Sequence, residues 1–265
     1  MQFRARCITL LFLLLRCCVH AFHGSHGTTA ILFHKPTGCV TTHVDNQDLP
    51  VEKLARLTVY DHLPEHITGK NGPKWHAVGR LDLKTSGLLI MTNDGRLVHH
   101  ATSPSTKLPK KYRALCMGHL LADDLERLRC GVDLAGGLGF SSPCAVQLEG
   151  YEGRSKTRLS ITIQEGKNRQ VRRMLHSIQS GVIELERVEI GGLTLEGIEE
   201  PGDWRYLSTE ELTQKLGYDP SAQPFHSGAE HERWRGEGGR NGRAHRNSNK
   251  RRRTCLQMLL AVLLL

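Results

Sequence analysis

The sequence predicts an α+β fold, because patterns typical of strands and of helices occur together along one chain. Residues 158–164 alternate between apolar and polar side chains, which is the period of a strand with one buried face. Residues 88–91 form a short apolar run that leads into an Asp-Gly turn, as expected for a buried strand. In residues 120–129 the leucines at 121, 125 and 128 share one helical face, and Gly131 follows as a C-terminal cap.

The remaining segments extend this mixture of strands and helices. Apolar or β-branched runs predict strands at residues 30–33, 39–44, 76–78, 113–117 and 185–195, the last interrupted at Gly191-Gly192. Helical spacing or capping residues predict helices within 51–63, at 97–102, at 169–178, and from the capping box at 208–211 to Gly217. Residues 64–74 are rich in glycine and proline and predict a surface loop.

The positive charge is concentrated at the two ends of the chain. Of a net charge of +9, residues 1–27 contribute +3 and residues 218–265 contribute +5, so the middle is nearly neutral. The net charge is therefore weak support for nucleic-acid binding by the core. Local clusters of basic residues in the core are the relevant evidence. The chain is divided into a targeting leader (1–27), a folded domain (28–217) and a basic, disordered tail (218–265) with a short apolar C-terminus.

The first 27 residues have the layout of a targeting segment. Arg4 and Arg6 precede an apolar stretch, residues 8–15, and cleavage after Ala21 would leave Phe22 at the new N-terminus. A signal-like segment followed by phenylalanine and an acid-poor stretch resembles the bipartite plastid-targeting leaders of algae with secondary plastids. We expect an organellar protein, in a plastid rather than a mitochondrion. A secretory signal and a mitochondrial presequence are the alternatives.

The C-terminus and the cysteines exclude two further classes. The apolar stretches at residues 8–15 and 255–265 are too short to cross a bilayer, so no membrane-spanning segment is predicted. For residues 255–265, a membrane-surface segment and an error in the gene model are both open. The eight cysteines include no Cys-x-x-Cys pair, which argues against a zinc ribbon. The four in the core stand singly, and we expect them to be buried and reduced.

Three segments of the core combine charge with constrained geometry: Arg80-Leu81-Asp82, Lys110-Lys111-Tyr112, and residues 166–173 with four cations at a helix start. Each has a plain structural explanation when taken alone. Asp82 is typical of a turn or cap, the lysines are typical of a protected edge strand, and the third segment is typical of a solvated basic face. The third segment also lacks the spacing of a P-loop.

Taken together, the three segments favour a site with a reactive carboxylate that contacts nucleic acid. A nucleophilic or acid–base carboxylate stays ionised beside a fixed cation, and Arg172 is a candidate for that cation because arginine does not deprotonate. Tyr112 is suited to stack on a flipped base, and the neighbouring lysines are suited to hold phosphates.

Four motifs resemble the successive motifs of the RsuA-type ribosomal RNA pseudouridine synthases, in the order and spacing of that family. They are His34-Lys35-Pro36-x-Gly38, Gly79-Arg80-Leu81-Asp82-x-x-Thr85-Ser86-Gly87-Leu88-Leu89, Lys111-Tyr112, and Glu165-Gly166-Lys167-Asn168-Arg169-Gln170-Val171-Arg172-Arg173-Met174. The resemblance covers essentially the whole core. It implies a mixed, mainly antiparallel sheet in two sub-domains around a central catalytic cleft.

The resemblance also implies an activity, the isomerisation of a specific uridine in ribosomal RNA to pseudouridine, without metal or cofactor. Asp82 is then the catalytic aspartate, which attacks the ribose or assists departure of the base. Tyr112 matches the tyrosine that stacks on the uracil, and Arg172 matches the cation paired with the aspartate. We expect a monomer whose partner is RNA.

For substrate binding, the resemblance implies a role for Arg80, which helps to hold the flipped nucleotide, and for Leu175, which forms an apolar wall of the pocket. The other expected substrate-binding residues are basic members of the same motifs: Lys35, Lys111, Lys167 and Arg169.

The chain departs from most RsuA-type enzymes at its N-terminus. The motifs begin so early that the usual S4 RNA-binding domain has no room, a layout that resembles the RluE subgroup and leaves the target uridine open. Two other functions are alternatives. An RNA-binding module that has lost catalysis is disfavoured by the presence of Asp82, Tyr112 and Arg172. A hydrolase that uses Asp82 with a histidine is disfavoured because neither a Gly-x-Ser-x-Gly elbow nor zinc-ligand spacing occurs.

Overall fold

The computed structural model describes residues 28–42, 57–68 and 74–222. The predicted leader (1–27), the loop at 46–50 and most of the tail (223–265) lie outside the described residues. In the ranges that are described, no helix has the length and apolar character needed to cross a membrane.

Strands and helices alternate irregularly along the chain. The strands are β1 (Ala30–Lys35), β2 (His76–Ala77), β3 (Ser86–Thr92), β4 (Lys110–Met117), β5 (Ala145–Glu152), β6 (Lys156–Ile163), β7 (Val182–Ile190), β8 (Leu193–Thr194) and β9 (Trp204–Tyr206). The α-helices are α1 (Glu65–Thr68), α2 (Gly95–Thr102), α3 (Ala122–Cys130), α4 (Gln170–Ser177) and α5 (Thr209–Leu216), with a 3-10 helix at Val59–His62.

The strands of the described ranges form one sheet in the order β5-β6-β4-β7-β3-β1-β9, with β2 beside β3 and β8 beside β7. Strand neighbours run antiparallel except β3 and β7, which pair in parallel through Ser86 with Glu186 and Gly87 with Arg187. The prediction of a mixed, mainly antiparallel α+β fold is confirmed. The parallel pair is the seam between the two halves of the sheet, β5-β6-β4-β7 and β3-β1-β9.

The β3 half is buried on both faces. Leu88 and Ile90 pack into one apolar cluster, whereas Leu89 and Met91 pack into another on the opposite face. A strand covered on both faces is apolar at every position, which explains the continuous run at residues 88–91. The other half has its own cluster, in which α3 and α4 pack against β4, β6 and β7.

Several local predictions needed correction. The predicted loop at 64–74 contains α1, whose Ile67 is buried. Leu121 does not join the buried face of α3 but is 67% exposed, because the helix begins only at Ala122. The strand β9 was not predicted, since three residues are too few to show a periodicity. Of the core cysteines, Cys39 and Cys116 are buried as expected, but Cys130 is exposed at the end of α3.

Candidate active site

Asp82 lies in the loop between β2 and β3, and backbone hydrogen bonds hold that loop in shape. The amide of Thr85 donates to the carbonyl of Asp82 at 3.0 Å, which closes a turn around the aspartate. The Thr41 hydroxyl donates to the Leu81 carbonyl at 2.9 Å, and the Gly38 amide donates to the Leu83 carbonyl at 2.8 Å. The carboxylate itself is 34% exposed, so a substrate can reach it.

Lys35 supports this loop from behind. Its side chain is fully buried, and Nζ donates to the carbonyl oxygens of Pro36 at 2.8 Å, Thr85 at 3.0 Å and Asp82 at 3.4 Å. Burial lowers the pKa of the Lys35 ammonium. Lys35 was expected among the substrate-binding residues, but the structure places it beneath the loop and not among the residues that line the cleft.

Arg172 reaches the same loop from α4, on the other side of the seam. Its Nε lies 3.8 Å from Oδ2 of Asp82, and Nη2 donates to the carbonyl of Lys84 at 2.7 Å and to the hydroxyl of Thr85 at 3.2 Å. Burial lowers the pKa of this guanidinium, and the charge of Asp82 opposes that shift. Arg172 therefore positions the turn as well as pairing with the carboxylate.

Tyr112 lies at the junction of the two halves. It packs against the apolar cluster of the β4 half and against one cluster of the β3 half. Side chains two residues apart on a strand share a face, so Lys110 and Tyr112 both line the cleft. Lys111, which was expected to bind substrate, belongs to the opposite alternation and does not line it.

The cleft that holds Asp82 has a volume of about 950 Å³ and is bounded by both halves of the sheet. Its lining includes seven cationic side chains: Arg80, Lys107, Lys110, Lys167, Arg169, Arg172 and Arg187. The only carboxylates in its described lining are Asp82 and Glu165. Such an excess of positive charge in a concave site favours a polyanion.

The basic segment before α4 forms one rim of the cleft. Lys167 pairs with Glu165 at 3.3 Å and donates to the Phe140 carbonyl at 2.6 Å, whereas Arg169 is exposed. Arg169 has φ +49°, a left-handed conformation that turns the chain into the helix. On the loop before Asp82, Arg80 is exposed and also lines the cleft. Lys167, Arg169 and Arg80 thus all line the cleft, and their binding of substrate stays a prediction.

The apolar wall of the cleft comes from a different leucine than predicted. Leu175 is fully buried in the core of the β4 half and does not line the cleft. Leu185 of β7 lines it instead. Two positions further along the same strand, Arg187 also lines the cleft and was missed by the sequence reasoning. The alternation of the strand could have revealed it, because Arg187 shares a face of the strand with the apolar Leu185.

Among residues 28–42, 57–68 and 74–222, no three His, Cys, Asp or Glu side chains come together as candidate metal ligands.

Comparison with known proteins gives a consistent result. Residues 29–177 match the family model described as RNA pseudouridylate synthase. A ribosomal small subunit pseudouridine synthase A of Vibrio cholerae is 36% identical over 187 residues, which cover 71% of this chain and 74% of that protein. A ribosomal large subunit pseudouridine synthase B of Buchnera aphidicola is 34% identical over 192 residues, which cover 71% and 70%. A crystal structure of a pseudouridylate synthase is similar with a TM-score of 0.60 at 28% identity, covering 72% and 75%.

Proposed function

This chain belongs to the RNA pseudouridylate synthase family, and we propose that its substrate is a uridine of ribosomal RNA and that Asp82 is the carboxylate that reacts. As a member of that family, it isomerises uridine in RNA to pseudouridine. Relatives named for the small and for the large ribosomal subunit are similarly related, at 36% and 34% identity. The proposal is therefore made for ribosomal RNA as a class.

The observation that carries the proposal is the pairing of Asp82 with Arg172 inside a strongly cationic cleft. The Arg172 guanidinium places a fixed positive charge 3.8 Å from the Asp82 carboxylate, a group suited to act as a nucleophile or to stabilise positive charge. The surrounding cations favour the RNA backbone, whose phosphates dominate the affinity of most nucleic-acid complexes.

The reaction rearranges one nucleotide without adding or removing atoms overall. The bond between N1 and C1′ breaks, the uracil turns within the pocket, and C5 bonds to C1′ as its proton leaves and N1 gains one. Asp82 supplies the nucleophile or the negative charge at the ribose. Tyr112, on the floor of the same cleft, stacks on the detached uracil and accepts the proton from C5.

The proposed location of the protein rests on sequence alone, whereas the proposed nucleotide contacts rest also on the structure. The leader pattern at residues 1–27 supports a plastid location, with a transit peptide removed on import. The binding of nucleotide by Arg80, Lys167 and Arg169 is supported by their place in the cleft lining.

The test of the catalytic assignment is Asp82→Asn, which keeps the shape of the side chain and removes its charge. We expect loss of pseudouridine formation in ribosomal RNA, with thermal unfolding and RNA binding unchanged. The matched control is Asp123→Asn, an exposed aspartate in the first turn of α3, which should keep full activity. Full activity of the Asp82 variant would overturn the assignment. Mapping pseudouridine in organellar and cytosolic ribosomal RNA after gene deletion would identify the target and the compartment.

A further inference from the structure

Arg187 is a buried cation that the reaction, as described above, does not use. It lies at the seam, paired with Gly87 of β3 and opposite Tyr112 of β4. The residue is only 3% exposed and lines the floor of the cleft. Its Nε donates to the carbonyl of Leu88 at 2.8 Å, which fixes the guanidinium, while its Nη2 is buried and finds no hydrogen-bond partner within the described residues.

Lys110 is the second cation at this floor. It is half-buried, its Nζ donates to the carbonyl of Leu108 at 3.0 Å, and its strand neighbours are Ile163 and Ile190, both buried. Burial, and after it the charge of Arg187, lowers the pKa of the Lys110 ammonium. Within the described ranges, neither cation forms an ion pair with a carboxylate.

Two adjacent cations in apolar surroundings without a counter-ion carry a large desolvation cost. A neutral carbonyl oxygen of a base would offset neither charge, whereas one phosphodiester would neutralise one of the two positive charges and could accept hydrogen bonds from both groups. The Asp82–Arg172 pair, by contrast, is already neutral as a unit. RNA offers one kind of anionic group, the phosphodiester.

We propose that Lys110 and Arg187 form an anion subsite at the floor of the cleft, and that this subsite binds a single phosphodiester of the RNA. This subsite rests on the proposed action on RNA. It would hold the RNA backbone at one fixed point of the cleft. Lys110 contacts the phosphate directly from its accessible position. Arg187, held by the carbonyl of Leu88, presents its guanidinium from beneath the phosphate. It thereby sets how deeply the RNA strand enters the cleft.

The test compares Lys110→Met, Arg187→Met and the double variant for binding of single-stranded oligouridylate over a series of salt concentrations. We expect each single variant to weaken binding, because each removes one of the two cations that hold the phosphate. The double variant should reduce the slope of log K against log salt by about 0.7 in total, the value for one phosphate on a single strand. The matched control is Arg127→Met, an exposed cation on α3, which should leave the slope unchanged.

A second probe separates the backbone from the base. On an abasic oligoribonucleotide the loss caused by each variant should persist. If the loss of affinity disappears on the abasic probe, the cations contact uracil and not the backbone. If the double variant changes the salt slope by the full value of one phosphate for each cation, the two cations contact separate phosphates. Either result overturns the shared subsite. Lys110→Met keeps the test decisive if the buried Arg187 variant does not fold.

Failure of this subsite and failure of the proposed function give different results. If wild-type protein forms no pseudouridine, the function fails while the binding slopes can still be measured. If the variants bind like wild type, the subsite fails while wild-type activity is unaffected.

Discussion

The guanidinium Nε of Arg172 lies 3.8 Å from Oδ2 of Asp82, and the same side chain hydrogen-bonds the two residues that close the turn after the aspartate. One arginine from α4 thus pairs with the carboxylate and fixes the loop that carries it. Because α4 belongs to one half of the molecule and the loop to the other, this contact also joins the halves across the cleft.

Replacing Arg172 with methionine should lower the rate of the chemical step. A hydrogen bond to a charged group contributes about 1.5–3 kcal/mol, so we expect about a 10- to 100-fold loss in single-turnover pseudouridine formation. Arg173→Met is the control, since Arg173 donates to the carbonyls of Asn168 and Leu134 and does not line the cleft. An equal loss in both variants would argue against a specific role for Arg172.

Replacing Lys35 with methionine should destabilise the loop from beneath. The variant loses the hydrogen bonds from Nζ to three carbonyl oxygens, although it also avoids burial of a charge. We expect a net decrease of about 1–3 kcal/mol in the free energy of unfolding, together with faster hydrogen exchange at the amide of Thr85.

The control for Lys35 is Lys215→Met, which removes a partly exposed cation from α5 and should change the unfolding free energy by less than about 1 kcal/mol. A Lys35 variant as stable and as active as wild type would show that the loop holds its shape without this support.

Replacing Gly87 with alanine should break the seam of the sheet. Gly87 has φ +103°, and a Cβ there would lie 2.2 Å from the carbonyl oxygen of Arg187. Neither backbone can move without disrupting the parallel pair, so we expect a loss of about 3 kcal/mol or more in urea unfolding. Gly95→Ala, where nothing lies within 4 Å of the added Cβ, should be neutral or stabilising by up to about 1 kcal/mol. Similar stability of the two variants would contradict this explanation.

His34 should make stability depend on pH. Its Nδ1 donates to the carbonyl of Ile198 at 2.9 Å and its Nε2 lies 3.3 Å from the Glu186 carboxylate. Burial alone lowers the pKa of His34, but Glu186 and the carbonyls of Ile198 and Glu199 outweigh burial and raise it above 6.5. The pKa of Glu186 is lowered, chiefly by His34. The pair is therefore charged at mildly acidic pH.

A histidine whose pKa is higher in the folded protein than in the unfolded chain stabilises the folded protein. This contribution is complete at pH values below the pKa of the unfolded chain, and it is lost as the pH rises through the pKa of the folded protein. The stability advantage of wild type over His34→Gln should thus be larger at about pH 5.5 than at about pH 8.5. Chemical unfolding at the two pH values measures this difference. Glu186→Gln should reduce the difference between the two pH values. A stability advantage of wild type that grows with pH would contradict a raised pKa of His34.

The local structure was largely predictable because it depends on neighbours in the sequence. The alternation at residues 158–164 gave β6, the apolar run at 88–91 gave the centre of β3, and the capping box gave α5. The Asp82–Arg172 contact was also predicted, but only through the order of the motifs and not from any one of them.

The sequence by itself determined most of the strands and helices and the segments that supply the residues of the candidate site. Only the tertiary structure decided which side chains face the cleft: Lys110 rather than its neighbour Lys111, and Leu185 of β7 rather than Leu175 of α4. It also placed Lys35 beneath the loop that carries Asp82, and Arg187 at the seam. The physical reason is that periodicity fixes the faces of an element, whereas the packing of distant elements fixes which face closes the core and which face meets the substrate.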